Sequence, residues 1–283
     1  MLTSRFAPSP TGLLHLGHAY SAALGHRAAR DAGGKFLLRI EDLDQSRSRP
    51  EFVAAIDEDL RWLGLDWDAE PLVQSERSGI YADALETLRA QGHVYPCFCT
   101  RSDIAAALSA PHAPHSRYPG SCREVPDDPI RRATTPHSWR LNAAKAIDRV
   151  GLPRWTEIDG RQFTATAADI DDEILARKDA PASYHLACVV DGAASGVTLV
   201  ARGMDLRAST PVQRLLQMLL GLPEPRYLHH QLVVHDDDDG RRLAKRDRAP
   251  TLAALREIGV DGRDLAARLI DGRLPAGFRL ADA

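Results

Sequence analysis

Two imidazoles three residues apart, His15 and His18, with Gly17 between them, follow the run Arg5-Phe6-Ala7-Pro8-Ser9-Pro10-Thr11-Gly12. Pro8 and Pro10 each fix φ at about −65° and remove a backbone donor, and Gly12 admits backbone angles that other residues avoid. The run is therefore a loop of set shape. From Leu13-Leu14 the Ala-rich segment to about Arg30 reads as a helix, which puts His15 and His18 on one face of its first turn. A helix start attracts anions through its uncommitted N–H groups and its dipole. Two imidazoles there, with a glycine that lets a purine or ribose lie against backbone, suit the phosphates of ATP. His-x-x-His alone also describes a helix start with two surface histidines; the stiff loop before it favours the nucleotide.

A second set of chemistry-bearing residues is charged. After Gly33-Gly34 breaks the helix, Lys35-Phe36-Leu37-Leu38-Arg39-Ile40 reads as a strand, so the helix lies inside a right-handed βαβ unit. Glu41, Asp42 and Asp44 fall just past that strand's C-terminal end, where doubly wound sheets bind ligands. Glu41 can accept the ammonium of an amino acid; Asp42 and Asp44 read equally well as caps of the next helix. Val197 to Ala201 is a further apolar strand with Arg202-Gly203-Met204-Asp205 at its end, on the same rim as Glu41. A guanidinium grips a carboxylate bidentately, so Arg5 and Arg202 are natural partners for a dicarboxylic amino acid.

These groups must be positioned by the rest of the chain. Phe52, Ile56, Leu60 and Leu63 repeat at helical spacing, as do Ile80-Tyr81, Ala84-Leu85 and Leu88, and Gly92 ends that second helix. From Pro96 to about Pro136 periodicity fades except for a short helix near Ile104 to Leu108. A loop of this length needs a stabiliser. Cys97-Phe98-Cys99 and Cys122 can supply one by binding zinc, with His112, His115 or Tyr118 as fourth donor and histidine favoured by general zinc chemistry. Such a site is closed, hence structural. Trp155 to Phe163 reads as strand with a turn at Asp159-Gly160. Ile174 to Arg177 and Tyr184 through Val190 read as buried segments of a returning parallel sheet, with Cys188 a small core residue. Thr210-Pro211 has the cap-plus-proline signature of a helix to about Leu220. Leu232 to His235 precedes an acidic turn, Asp236 to Asp239, and a basic run of Arg241, Arg242, Lys245, Arg246 and Arg248. Thr251 to Ala283 can form two short helices.

The 283 residues suffice for a large domain with an insertion, and 44% hydrophobic with 27% charged residues is the balance of a globular chain. No apolar run reaches the length of a membrane span, and the N-terminus lacks a signal-peptide pattern, so the expectation is cytoplasmic. Four cysteines in such a chain do not suggest a disulfide framework. With a net charge of −3, nucleic-acid contact must come from local patches such as Arg131-Arg132 and the run ending at Arg248. Only Lys35, Lys145, Lys178 and Lys245 are lysines among 36 basic residues, which singles out each as a place for a compact ammonium.

Arg-Phe-Ala-Pro-Ser-Pro-Thr-Gly followed by Leu14-His15-x-Gly17-His18 resembles the signature of class I glutamyl-tRNA synthetases, and Arg39-Ile40-Glu41-Asp42 resembles a further stretch of that family; the likeness runs to about Arg248. It implies an α/β, Rossmann-like class I aminoacyl-tRNA synthetase catalytic domain with a mainly parallel sheet. Residues 1–95 would be its first half. Residues 96–136 would be a zinc-binding insertion in an acceptor-like subdomain reaching about 170, 171–248 the second half, and 249–283 a short helical tail. The resemblance implies that Arg5, Ala7, Ser9, Glu41, Tyr184 and Arg202 hold glutamate, although Tyr184 by itself reads equally as a core tyrosine. It implies that His15, Gly17, His18 and Lys245 hold ATP with Mg²⁺, with His15, His18 and Lys245 catalytic. Residues 241–246 occupy the place of the family's Lys-Met-Ser-Lys-Ser, with Lys245 unchanged and Arg242 and Ala244 departing from it. Cys-x-Cys with Tyr-x-x-x-Cys is similar to the zinc site of glutamyl-Q tRNA(Asp) synthetases, which implies Cys97, Cys99, Tyr118 and Cys122 around one structural Zn²⁺. The chain stops where the anticodon-reading domain of glutamyl-tRNA synthetases would begin. The implied activity is ATP-dependent activation of L-glutamate and its transfer to queuosine in the anticodon loop of tRNA(Asp), by a monomer with no membrane association. Charging the 3′ end of tRNA(Glu) and a catalytically silent tRNA-binding paralogue are the alternatives.

Overall fold

Gly33-Gly34 lets the first helix hand the chain back to its own starting strand. Gly33 takes φ +59°, and a Cβ on Gly34 would stand 1.9 Å from the Leu2 carbonyl oxygen, which instead accepts from the Lys35 amide. The result, in a computed structural model that describes residues 1–108, 117–178, 180–237 and 250–281, is strand β1 (Thr3–Phe6), helix α1 (Leu16–Asp31) and strand β2 (Lys35–Ile40), with β1 and β2 parallel and Thr3 opposite Lys35. Helix α2 (Pro50–Trp62) leads to β3 (Leu72–Val73), which adds in parallel to β2. The other half of the sheet is β9 (Leu199–Gly203) paired in parallel with β10 (Arg226–His230). The halves adjoin where the Thr198 amide donates to the Thr3 carbonyl oxygen at 2.9 Å. The strands thus run β3, β2, β1, β9, β10, and the order reverses between β1 and β9. That reversal opens a crevice at the strands' C-terminal ends.

Between the halves lies the insertion. Helix α3 (Ser78–Ala90) precedes β4 (Val94–Cys97), α4 (Arg101–Leu108), α5 (Pro129–Thr134), β5 (Ser138–Leu141), α6 (Ala143–Val150), the hairpin β6 (Arg154–Thr156) with β7 (Gln162–Thr164), and β8 (Ile174–Ala176). Strands β4, β5 and β8 form a separate antiparallel sheet. Ile174 to Ala176 is therefore a strand, but not one of the parallel sheet. Tyr184 through Val190 is no strand at all: it opens α7 (Tyr184–Ala194). A short apolar run buried on most sides carries no period that separates strand from helix, and burial of Leu186, Ala187, Val189 and Val190 satisfies either. Helix α8 (Thr210–Leu219) has Ser209 at its N-cap, not Thr210, whose hydroxyl is taken by Arg202.

The C-terminal residues complete the first core. Helices α9 (Leu252–Glu257) and α10 (Gly262–Ile270) bury Leu252, Leu265 and Leu269 against Leu16, Ala19, Phe36 and Leu60, and β12 (Phe278–Leu280) pairs antiparallel with β11 (Val233–His235). Strand β12 was not legible in the sequence, where two short helices alone were expected. A second core, centred on Tyr81, Leu141, Leu175, Leu186, Leu215 and Tyr227, joins the insertion to α7 and α8. Among the described residues no helix is long and apolar enough to cross a membrane.

Candidate active site

Helix α1 begins with a reciprocal histidine cap. His15 is the N-cap: its Nδ1 accepts from the Gly17 amide, while His18 Nδ1 accepts from the His15 amide, each at 3.2 Å, and the rings lie 3.9 Å apart. Two Nδ1 acceptors fix the tautomer, so each neutral ring carries its proton on Nε2. Gly17 leaves room for this, because a Cβ there would sit 3.1 Å from His15 Cε1. The proline loop is held from below: the Pro8 carbonyl accepts from the Glu41 amide and the Pro10 carbonyl from the Arg49 amide, both at 3.0 Å.

The other end of the crevice is lined by charge. Arg5 at the end of β1 donates from Nη1 to the Ala201 carbonyl oxygen at 2.8 Å, which ties it across the β1/β9 reversal. Burial, with Arg39 and Arg202 nearby, pulls its pKa down to about 10, still charged at neutral pH. Glu41 accepts from Arg39 Nη2 at 2.7 Å, with the two side chains only 11% and 5% exposed. Burial works against the Arg39 charge, but Glu41 foremost, with Cys188 and Asp191, offsets it and holds that guanidinium above its ordinary value. Asp42 instead receives Ser75 through backbone and hydroxyl, and Asp44 pairs with Arg47 and Ser46 at the surface.

Arg202 is gripped from behind. Its Nε donates to His229 Nε2 (3.2 Å), its Nη1 to Gln213 Oε1 (2.7 Å) and its Nη2 to Thr210 Oγ1 (2.8 Å), and Glu157 in turn accepts from His229 Nδ1 at 2.6 Å. Burial drives His229 down to about 4, so the ring is neutral, gives its one proton to Glu157, and presents Nε2 as an acceptor for Arg202. Among the described residues two of the five Arg202 N–H groups remain uncommitted. The sequence reading missed His229, Glu157, Gln213 and Thr210; a polar pair, His229-His230, inside an apolar strand was the available signal.

The histidine cap and part of the charged group meet on one cavity of about 600 Å³, whose wall includes Arg5, Ala7, Ser9, His15, Gly17, His18, Glu41, Tyr184 and Arg202, while Arg39, His229, Gln213 and Thr210 stand behind that wall. Tyr184, the first residue of α7, has its phenol pushed up chiefly by burial. Lys245, Arg242 and Ala244 lie outside the described residues.

A separate cluster joins Cys97, Cys99 and Cys122, whose sulfurs lie within 4.8 Å of one another. The Tyr118 Oη stands 3.2 Å from Cys97 Sγ and 3.5 Å from Cys99 Sγ, and accepts from the Cys122 amide. Four donors around a tetrahedral zinc, with Zn–S bonds of about 2.3 Å, stand about 3.8 Å apart. The donor set fits that ion in chemistry and in size. His112 and His115 lie outside the described residues. Cys188 is elsewhere, its thiol pushed up to about 11 by burial.

A helix start capped by two histidines beside a crevice lined by Arg5, Glu41 and Arg202, both at the reversal point of a parallel sheet, is consistent with the catalytic domain of a class I aminoacyl-tRNA synthetase. The chain belongs to the tRNA synthetases class I (E and Q), catalytic domain, family, whose model matches residues 1–266. It is 46% identical over 277 residues to the glutamyl-Q tRNA(Asp) synthetase of Rhodobacter capsulatus, covering 93% of this chain and 98% of that protein. It is 44% identical over 281 residues to that of Symbiobacterium thermophilum, covering 95% and 85%. The crystal structure of a glutamate tRNA ligase from Elizabethkingia meningosepticum in complex with its amino acid superposes with a TM-score of 0.81 at 27% identity, over 95% of this chain. This chain spans 60% of the length of that ligase.

Proposed function

We propose that the protein activates L-glutamate with ATP and transfers it to queuosine in the anticodon loop of tRNA(Asp). The observation that carries the reading is the shared cavity, which puts the histidine cap and the Arg5, Glu41, Tyr184, Arg202 group within one ligand's reach. Around the amino-acid end stand the half-buried guanidinium of Arg5 and the buried one of Arg202, with the buried Arg39 behind them paired to the single carboxylate of Glu41. The surplus of positive charge suits two carboxylates and one ammonium, and so favours glutamate over its neutral amide.

In this reading Glu41 takes the ammonium and Arg5 and Arg202 take the carboxylates, with Ala7, Ser9 and Tyr184 shaping the wall. The α-carboxylate oxygen attacks the α-phosphorus of ATP, which enters with Mg²⁺ as substrate; the bond to the β-phosphate bridge breaks and pyrophosphate leaves. His15 and His18 donate from Nε2 to the phosphates, Gly17 leaves room for the nucleotide, and Lys245 supplies a further cation. A hydroxyl of the cyclopentene-diol of queuosine then attacks the activated carbonyl, and AMP departs. Cys97, Cys99, Tyr118 and Cys122 hold one Zn²⁺, which supplies a structural tie for the insertion and takes no part in the reaction.

Incubation with ATP, labelled glutamate and tRNA(Asp) with or without queuosine tests this. Label is expected only with queuosine and survives removal of the 3′-terminal adenosine. Label lost with that adenosine would instead mean charging of the 3′ end, and absence of glutamate-dependent pyrophosphate exchange would mean a silent paralogue.

A further inference from the structure

We infer that the outer end of the β4–β5 sheet is a stacking platform for an unpaired base of the RNA substrate, a surface distinct from the glutamate and ATP cavity. The inference rests on the reading of an RNA loop as the acceptor. In the β4–β5 ladder Pro96 stands opposite Trp139 and Tyr95 opposite Arg140. Alternation puts Pro96 and Trp139 on one face, Tyr95 and Arg140 on the other. The Tyr95 face is spent internally: Tyr95 donates to Asp172 and Arg140 lies 3.8 Å over the Tyr118 ring, beside the cysteines.

On the other face Pro96 is buried and Trp139 packs in part on the second core, and from Trp139 a row of alternating aromatic and cationic groups continues. The Arg131 guanidinium lies 4.0 Å over the Phe98 ring; Phe98 and His137 are 5.4 Å apart, His137 and Trp139 5.3 Å, and Arg132 lies 5.7 Å from the Trp139 ring. Phe98, His137 and Trp139 are each half-buried, Trp139 with one side against the second core, and Ile130 beside Arg131 is 77% exposed. Arg132 is paired with Asp127 at 2.6 Å. Arg131 is exposed and has no carboxylate partner among the described residues, so its charge is available to a phosphate. Aromatic rings interleaved with guanidiniums are what single-stranded nucleic acid uses, since every base has a face to stack and every nucleotide a phosphate to pair.

Position supports the same occupant. Trp139 stands opposite Ala176, and the neighbouring Leu175 carbonyl accepts from the Ser183 amide at 2.7 Å, one residue before Tyr184 on the cavity wall. A loop whose target base enters the cavity must leave its neighbours outside, and one end of this row, Trp139, is linked through β8 to the residue that precedes Tyr184.

The test uses the full-length protein and two RNA probes, a hairpin with the anticodon-arm sequence of tRNA(Asp) and a blunt duplex of equal charge. The hairpin is expected to quench tryptophan fluorescence in the wild type; Trp139→Phe should lose that quenching while keeping affinity within about twofold. Phe98→Ala and Arg131→Ala should each weaken hairpin binding about tenfold, the scale of one lost stacking contact, and leave duplex binding unchanged. Should Phe98→Ala fail to fold, the exposed change Arg131→Glu carries the same expectation. Unchanged hairpin affinity, or equal loss for hairpin and duplex, would overturn the inference and leave the row as a clamp on the cysteine hairpin. Glutamate-dependent pyrophosphate exchange, measured on the same samples, separates failure of this surface from failure of the activation reading.

Discussion

Exchanging Glu41 for glutamine keeps the side chain's shape and an oxygen for Arg39 Nη2, but removes the charge proposed to meet the substrate ammonium. The pair is nearly dry, with the side chains 11% and 5% exposed, so the lost contact is a charge-assisted hydrogen bond in a poorly screened site. Such bonds contribute about 1.5–3 kcal/mol, which converts to a glutamate KM about 10–150-fold higher. The loss of a negative charge beside Arg5, Arg39 and Arg202 leaves the carboxylate-binding groups, if anything, stronger. Glutarate, which has both carboxylates and no ammonium, should therefore inhibit Glu41→Gln at least as well as the wild type. The assay is glutamate-dependent pyrophosphate exchange, with glutarate as competitor and the KM for ATP as control. If glutarate and glutamate weaken together, or if neither changes, Glu41 does not bind the ammonium and the orientation given to the substrate is wrong. Alanine is the poorer probe, because it strands Arg39 as a buried charge and puts the fold at risk.

Gln213→Glu would put a carboxylate in place of the amide oxygen that now lies 2.7 Å from Arg202 Nη1; competing with the substrate, it should raise the KM for glutamate tenfold or more and that for ATP less than twofold. Stripping the metal with a strong chelator after thiol modification should release one zinc per chain, read with a colorimetric dye, and lower the melting temperature, whereas a protein that releases none would refute the Cys97, Cys99, Tyr118 and Cys122 site. Burial holds His185 and His229 near 4, below the value of about 6.5 in an unfolded chain, so between those limits the unfolded state binds more protons. Stability should be full above about pH 6.5 and fall as the pH drops toward 4, at up to about 1.4 kcal/mol per pH unit for each histidine; a flat denaturation midpoint across that window would contradict their burial as neutral rings.

What the sequence made legible was local and covalent in character. The proline loop, the histidine spacing and the paired glycines act over a few residues, so their geometry follows from their own stereochemistry: Gly34 sits against the Leu2 carbonyl because no other residue could. The βαβ unit followed from the same punctuation. Tyr184 to Val190 misled because an apolar run in a crowded interior fits either regular structure, and Ile174 to Ala176 because a short strand does not disclose its partner. The Glu157–His229–Arg202 relay was invisible for another reason. Its members come from a hairpin of the insertion, from β10 and from β9, and nothing in their spacing joins them.

That relay also shows why an insertion so far from the reaction bears on the pocket. The Ile158 amide donates to the Tyr227 carbonyl at 2.7 Å, which docks the β6–β7 hairpin onto β10 and carries the Glu157 carboxylate to His229. Glu157 decides which nitrogen of His229 holds the proton; that decides whether Arg202 meets a lone pair or another N–H. A guanidinium with three N–H groups spent on fixed acceptors cannot swing, and a cation that cannot swing recognises a carboxylate at one distance from Arg5 rather than over a range. On the proposed binding mode, selection by chain length, glutamate against aspartate, is set as much by the inserted hairpin as by the strand that carries Arg202.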